Sequence, residues 1–169
     1  MNQPAAPTFL EQFRRWYEYE KDCNAKTIAM LESVPVSARS DPAFARAMGK
    51  MGHLIIARQM WLHRLGHWHA KPTEWFPVLV FDELKSHAKE IEGAWTTYLA
   101  NLTEADLFKP IEFVGSDGKR RRWRLLDLLT QVFGHAWYHR GQVALLVKDL
   151  GGAPVNTDYI FWDQPTVLD

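Results

Sequence analysis

The chain has 169 residues, 47% of them hydrophobic, so its length and composition predict one domain over 1–169 with a substantial core. Its 20 basic residues balance its 20 acidic residues, which argues against attraction to nucleic acid or to an anionic membrane. No apolar run approaches the ~18 residues of a membrane span, and no signal-peptide pattern is seen. Cys23 is the single cysteine, which excludes an internal disulfide and favours a cytoplasmic location.

Apolar side chains at helical spacing predict four helices in this chain. Their approximate ranges are 8–33, 41–65, 82–101 and 125–150. Thr8 and Glu11 form a capping box at the start of the first helix. Asp41 followed by Pro42 is typical of a helix start, and Asp82 is the expected cap of the third helix.

A β-hairpin is predicted between the third and fourth helices. Residues 108–114 and 119–124 have strand character, and Ser116-Asp117-Gly118 between them is a turn signal. The tail 155–169 is short, and we expect it to be irregular. The predicted fold is therefore all-α, a four-helix bundle with a small hairpin before the last helix.

Two histidines in the fourth helix, His135 and His139, carry the most informative spacing in the sequence. Four residues are about 400° of helix, so both imidazoles leave one face, one turn apart. This spacing allows both rings to bind one divalent metal ion. The alternative is that they are two partly buried polar residues packed by Trp137 and Tyr138.

A third ligand must come from elsewhere in the chain. His53 lies midway along the second helix among apolar residues, and metal sites in bundle cores use side chains from facing helices. The alternative role is a buried histidine satisfied by a neighbour. His63 and His67 form a rival pair, although Gly66 between them is expected to end the helix. His67 and His69 flank Trp68 in a loop and could bind a metal only if the loop geometry brought them together. His87 lies among charged residues and is expected to face solvent.

Two segments of the chain resemble the DinB/YfiT-like family (DinB superfamily). Residues 134–142 read Gly-His-Ala-Trp-Tyr-His-Arg-Gly-Gln, similar to that family's last helix, which ends His-x-x-x-His-Arg-Gly-Gln. Residues 53–61 read His-Leu-Ile-Ile-Ala-Arg-Gln-Met-Trp, similar to its second-helix pattern His-Leu-x-x-Ala-x-x-x-Trp. Both segments occur in the order and with the separation expected from the family.

The resemblance implies that His53, His135 and His139 bind one divalent ion, with zinc or nickel the expected metals. It also implies a homodimer. Characterised relatives include transferases and isomerases that use a low-molecular-weight thiol such as bacillithiol, mycothiol or glutathione. The chain departs from many relatives in having Gln131 in place of a histidine and Gly134 in place of an asparagine.

Three neutral imidazoles leave at least one coordination position open, which is the pattern of a catalytic metal site. Ala136 occupies the position where a His-Glu-x-x-His protease carries its glutamate, so a protease of that type is disfavoured. No general base is obvious. Asp127, Glu20 and Asp158 are candidates, with surface charge as their alternative role.

Two residues beyond His139 have further expected roles. Gly141 costs roughly 1 kcal/mol relative to alanine inside a helix, which predicts close packing against a neighbouring helix. Gln142 is expected either to orient a ligand ring or to lie at the surface. The aromatic loop 68–76 is expected to line the pocket mouth, to form a dimer interface, or to pack on the core.

The favoured function is a metal-dependent enzyme, a thiol-dependent S-transferase or hydrolase acting on a small molecule. The alternative is a non-catalytic protein that binds a metal or a small molecule on the same scaffold. The basic run 119–124 could hold phosphate or nucleic acid, but the balanced net charge favours a solvated hairpin face.

Overall fold

The computed structural model describes residues 6–164, and four long helices dominate that part of the chain. They are α1 (Phe9–Glu32), α2 (Pro42–Arg64), α3 (Phe81–Asn101) and α4 (Leu125–Asp149). Each predicted helix is confirmed to within one residue at either end. None of the described helices is long and apolar enough to cross a membrane.

Side-chain caps explain where the first two helices begin. The Thr8 hydroxyl accepts a hydrogen bond from the Glu11 N–H at 3.2 Å, and the Glu11 carboxylate accepts one from the Thr8 N–H at 2.7 Å. Asp41 accepts from the Ala43 N–H at 2.7 Å. These bonds satisfy N–H groups that have no partner within a helix, so both predicted caps are confirmed.

The predicted cap of α3 is wrong. Val80 is the N-cap, and Asp82 lies within the first turn. The Glu83 carboxylate accepts a hydrogen bond from the Val80 N–H at 3.3 Å, which stabilises this earlier start. Asp82 instead places a negative charge near the positive end of the helix dipole.

The hairpin consists of β1 (Pro110–Val114) and β2 (Arg120–Arg124), paired antiparallel with Ile111 opposite Trp123. Gly118 adopts a φ of +76° in the connecting turn, a conformation that glycine tolerates well. A short 3-10 segment, Glu104–Phe108, occupies the place where the first strand was expected to begin. The hairpin leads directly into α4, so the predicted architecture is confirmed.

The C-terminal tail is not irregular throughout, because Tyr159–Asp163 form a short helix, α5. The rings of Tyr159 and Trp162 pack against Tyr19 of α1, with centroids 5.1 and 5.8 Å away. The Tyr19 hydroxyl also donates a hydrogen bond to the Thr157 carbonyl. Aromatic packing against α1 therefore orders a segment whose own sequence gave no helical signal.

The hydrophobic core lies between the four long helices. α2 packs most extensively on α4, while α1 packs on both α3 and α4. Trp95 of α3 and Phe133 of α4 are fully buried within this core. The α2–α4 pairing positions the candidate site, because it brings the middle of α2 against the middle of α4.

Candidate metal centre

The three histidines predicted as ligands meet between α2 and α4. His53 comes from α2, while His135 and His139 come from successive turns of α4. One ring nitrogen of each lies within 4.8 Å of the other two. His53 and His139 are buried, with 7% and 8% exposure, and His135 is half-buried. Among residues 6–164 this is the group of histidine, cysteine and acidic side chains that could hold a metal ion.

The loop after α2 fixes the orientation of the His53 ring. The His53 Nδ1–H donates to the carbonyl oxygen of Trp75 at 2.7 Å, and Phe76 stacks on the ring with centroids 4.2 Å apart. Because a carbonyl can only accept, His53 carries its proton on Nδ1 and presents the lone pair of Nε2. That Nε2 lies 2.9 Å from Nε2 of His135.

A second contact outside the histidine cluster orients His139. The His139 Nδ1–H donates to Oε1 of Gln142 at 3.1 Å, and the ammonium group of Lys50 donates to the same oxygen at 2.6 Å. Lys50 can only donate, so it fixes which way the Gln142 amide points. Of the two expected roles for Gln142, orientation of a ligand ring is therefore the one that the contacts support.

All three imidazoles are held in the neutral form. Burial is the main cause, and it lowers the pKa of His53 and of His139 below the usual range. Burial together with the neighbouring His139, His53 and Arg58 lowers the pKa of His135 to about 4. Neutral imidazole is the form that binds a metal, so the cluster is prepared for a ligand role at pH 7.

The donor set fits a divalent metal ion. Two nitrogens bound at 2.0–2.1 Å in tetrahedral geometry would lie about 3.3 Å apart. The 2.9 Å between the two Nε2 atoms of His53 and His135 requires only a small adjustment to reach that value. Three nitrogen ligands are typical of zinc sites that keep one position for water or substrate.

The other histidines lie outside this cluster. Gly66 takes a φ of +80° just past the end of α2, so His63 and His67 do not share a face. His63 is 3.2 Å from the Trp68 carbonyl, and His67 packs on the ring of Tyr98. His69 stacks on Trp68 in the loop. The predicted break at Gly66 is confirmed, and these residues form no metal-binding group among the described residues.

His87 differs from expectation, because it is half-buried rather than exposed to solvent. Its Nδ1 has no hydrogen-bond partner among residues 6–164. It lies one residue before Ala88, which is part of the α3 core face.

A cavity of about 420 Å³ opens beside His53 and His135. It runs between α2, the hairpin and the loop before α3, and no carboxylate lines it among the described residues. Four aromatic side chains contribute to its walls: Trp61, Trp75, Phe113 and Trp123. The expectation that the aromatic loop lines the pocket mouth is confirmed for Trp75. The cavity adjoins a larger cleft of about 870 Å³, which is lined by His63 but by none of the three clustered histidines.

None of the three candidate bases lies at this cavity. The Asp127 carboxylate binds Arg124 at 2.8 and 2.9 Å, and Asp158 is the N-cap of α5. Glu20 is not a surface charge: it is 2% exposed and forms an ion pair with Arg58, which is also buried. Sequence reasoning missed this pair, although an arginine within the apolar stretch of α2 was a visible signal.

The expected role of Gly141 is also wrong. Within residues 6–164, no heavy atom outside its own helix backbone lies within 4 Å of the place where a Cβ would stand, and the residue is exposed. No close helix contact therefore explains this glycine. We find no structural reason for it.

The arginines of β2 are all paired with nearby carboxylates, although two of them share one. Arg120 and Arg122 bind Glu112, and Arg121 binds Asp117 through both of its terminal nitrogens. Residues 110–124 still carry five basic and two acidic side chains, but every arginine of β2 is engaged by a carboxylate. A solvated face, rather than a phosphate-binding surface, is the arrangement that the contacts support.

Comparison with known protein families agrees with this architecture. A model of the DinB family matches residues 1–166, nearly the whole chain. Comparisons with curated proteins and with solved structures give no match. The cluster of His53, His135 and His139 is the feature that the resemblance implied, while the helical bundle and the hairpin before α4 were predicted from the sequence pattern. The chain belongs to the DinB family.

Proposed function

We propose that the protein is a metal-dependent enzyme that acts on a small molecule, with His53, His135 and His139 as the metal ligands. The observation that carries the proposal is the combination of three neutral imidazoles with an adjoining cavity. A structural metal site would be closed by a fourth protein ligand, whereas this group offers three nitrogens and faces open space. Zinc and nickel are the proposed metals.

Residues of this chain orient the proposed metal ligands and keep water away from part of the substrate. Trp75 and Gln142 fix the ring orientations of His53 and His139 through the Nδ1–H groups. A divalent ion bound there would act as a Lewis acid and lower the pKa of a bound thiol. The aromatic walls would exclude water from the apolar part of a substrate.

Thiol-dependent S-transfer is favoured over hydrolysis. Free water has a pKa of about 15.7 and a free thiol one of about 8.5, so water depends more on a nearby group that accepts its proton, and no carboxylate lines the cavity within residues 6–164. A low-molecular-weight thiol whose pKa is lowered by the metal becomes a nucleophile without such a base. The same lack of a base favours, as second candidate, a protein that binds a metal or a small molecule without catalysis.

Metal analysis tests the ligand assignment. Protein purified without an affinity tag should contain about one divalent ion per chain, and His53→Ala or the double variant His135→Ala, His139→Ala should lose it. His63→Ala and His67→Ala are matched controls that should keep the metal. Full occupancy in the double variant would refute the site.

Activity separates the two candidate functions. The metal-loaded protein would be tested with pairs of thiols and electrophiles, with and without a chelator. Turnover that disappears with chelator and returns with metal would support the transferase. Tight thiol binding without turnover on any pair would favour the binding protein.

We also propose a cytoplasmic homodimer. The family resemblance supports the homodimer, and so do the large apolar side chains on the outer face of α4. There Trp137, Tyr138 and Leu145 are 42%, 65% and 65% exposed. Light scattering at micromolar concentration should give twice the chain mass. A strict monomer would contradict the proposal.

A further inference from the structure

One cationic side chain at the candidate site has no role in the chemistry described so far. Arg64 is the last residue of α2, and it lines the same cavity as His53. The two residues are eleven positions apart, which is close to three full helical turns. They therefore lie on the same face of α2, with Ala57, Met60 and Trp61 of that face between them along the cavity wall.

The Arg64 guanidinium is held in place by aromatic rings. Its Cζ lies 4.5 Å from the ring centroid of Trp61 and 5.2 Å from that of Phe113. One Nη2–H donates to the carbonyl of Val114 at 3.1 Å. Stacking of this kind fixes the plane of the guanidinium while leaving its edge available for hydrogen bonds.

That edge lacks an acidic partner within the described part of the chain. The neighbouring arginines of β2 are all paired: Arg120 and Arg122 with Glu112, Arg121 with Asp117, and Arg124 with Asp127. Arg64 forms no ion pair with any residue between 6 and 164, although it is half-buried. Nε and Nη1 donate to no protein acceptor in the same part of the chain.

The electrostatic surroundings favour an anion at this place. Burial, and then the nearby Arg121, lower the pKa of Arg64, so both effects disfavour the isolated cation. In the adjoining cleft Lys71 adds positive charge, and the Glu112 carboxylate is already bound by two arginines. A bound anion would therefore offset the excess positive charge of these residues.

We propose that Arg64 is a specificity-determining residue that binds the carboxylate of the small molecule acted on at the histidine cluster. The apolar body of that molecule lies against Trp61 and Trp75, and its other end faces His53 and His135. The axial distance between His53 and Arg64 is about 16 Å, a span that two long side chains and a small elongated molecule can cover. The placement of one end of this molecule at the histidine cluster rests on the proposed function, whereas the binding of its carboxylate rests on Arg64 alone.

Calorimetric titration with a matched pair of probes tests this assignment. The probes are 4-phenylbutanoate and 4-phenylbutanamide, which share an apolar body and differ in charge. The protein as purified should bind the acid about tenfold to hundredfold more tightly than the amide at pH 7.5, the range expected for a charge-assisted pair. R64Q should reduce this ratio to about one.

Two further variants test whether the preference for the acid depends specifically on the Arg64 guanidinium. R64K keeps the charge but loses the planar fork, so it should retain part of the preference and serves if R64Q does not fold by circular dichroism. R120Q is the matched control on the hairpin and should keep the full preference. An unchanged ratio in R64Q would show that the carboxylate binds elsewhere, including at a metal, and would overturn the proposal.

Metal content measured on the same samples separates this proposal from the preceding one. Acid preference that depends on Arg64 in protein without any metal would support the anion site and contradict the metal-dependent enzyme. Bound metal without any preference for the acid, or without measurable binding of the acid, would refute the role of Arg64 and leave the metal site standing.

Discussion

Gly52 permits the loop after α2 to reach His53, and replacing it with alanine should disturb both stability and metal binding. A Cβ at Gly52 would stand 2.3 Å from the carbonyl oxygen of Pro77 and 3.2 Å from its Cγ. An ordinary contact begins near 3.4 Å, so the loop backbone would have to move by about 1 Å, the difference between 3.4 and 2.3 Å. The same loop carries the Trp75 carbonyl that accepts the His53 Nδ1–H.

Opposing effects set the size of the change in stability. Glycine to alanine inside a helix stabilises by roughly 1 kcal/mol, while an overpacked contact costs about 1–3 kcal/mol. Gly52→Ala should therefore lower the free energy of unfolding by up to about 2 kcal/mol. Loss of the bond that orients His53 should also weaken metal binding by about 10-fold to 100-fold.

Gly49, one turn earlier on α2, offers a matched control. A Cβ there would lie 3.5 Å from the carbonyl oxygen of Phe76, an ordinary contact. Gly49→Ala should raise stability by up to about 1 kcal/mol and leave metal affinity unchanged. Urea denaturation and zinc titration measure both quantities. A Gly52→Ala protein that matched Gly49→Ala in both assays would refute the reasoning.

Three further outcomes are expected. Gln142→Ala should weaken zinc binding by about 10-fold to 100-fold by calorimetry while keeping the helical spectrum, because His139 loses its Nδ1–H acceptor; equal affinity would contradict this. Glu20→Ala should lower the free energy of unfolding by about 3–5 kcal/mol, because it leaves Arg58 buried and unpaired; a loss below about 1 kcal/mol in urea would count against it. In chelator-treated protein the melting temperature should fall on acidification, since the pKa of His135 is lowered to about 4 in the folded state, against about 6.5 when unfolded. Neutral His135 contributes fully to the free energy of unfolding above about pH 6.5, and this contribution is lost as the pH falls towards 4. The melting temperature of His135→Gln should therefore decline less steeply between those pH values.

The parts of the fold that depend on local sequence could be predicted well. Helix starts at Thr8 and Asp41 follow from side chains that bond the first turn of their own helix. The shared face of His135 and His139 follows from the helical repeat alone. Placing His53 against them required the bundle arrangement and the family resemblance, because no local rule relates α2 to α4.

The features that were missed depend on contacts between distant segments. The Trp75 carbonyl reaches His53 only because Gly52 leaves room for Pro77. Glu20 becomes buried because Arg58 reaches it from another helix. The sequence does not show which residues these distant segments bring together: Arg58 in the apolar stretch of α2 signals a buried charge but does not name Glu20 as its partner.

The packing of the C-terminal segment on α1 makes the single thiol a reporter of local opening. Cys23 is fully buried, its Sγ lies 3.8 Å from the Thr157 carbonyl, and burial raises the pKa of the thiol. A thiol-specific reagent therefore needs both exposure and deprotonation, and exposure requires the segment carrying Thr157 to leave α1. The rate of labelling of Cys23 in the native protein then measures how often this end of the chain detaches, without any introduced probe.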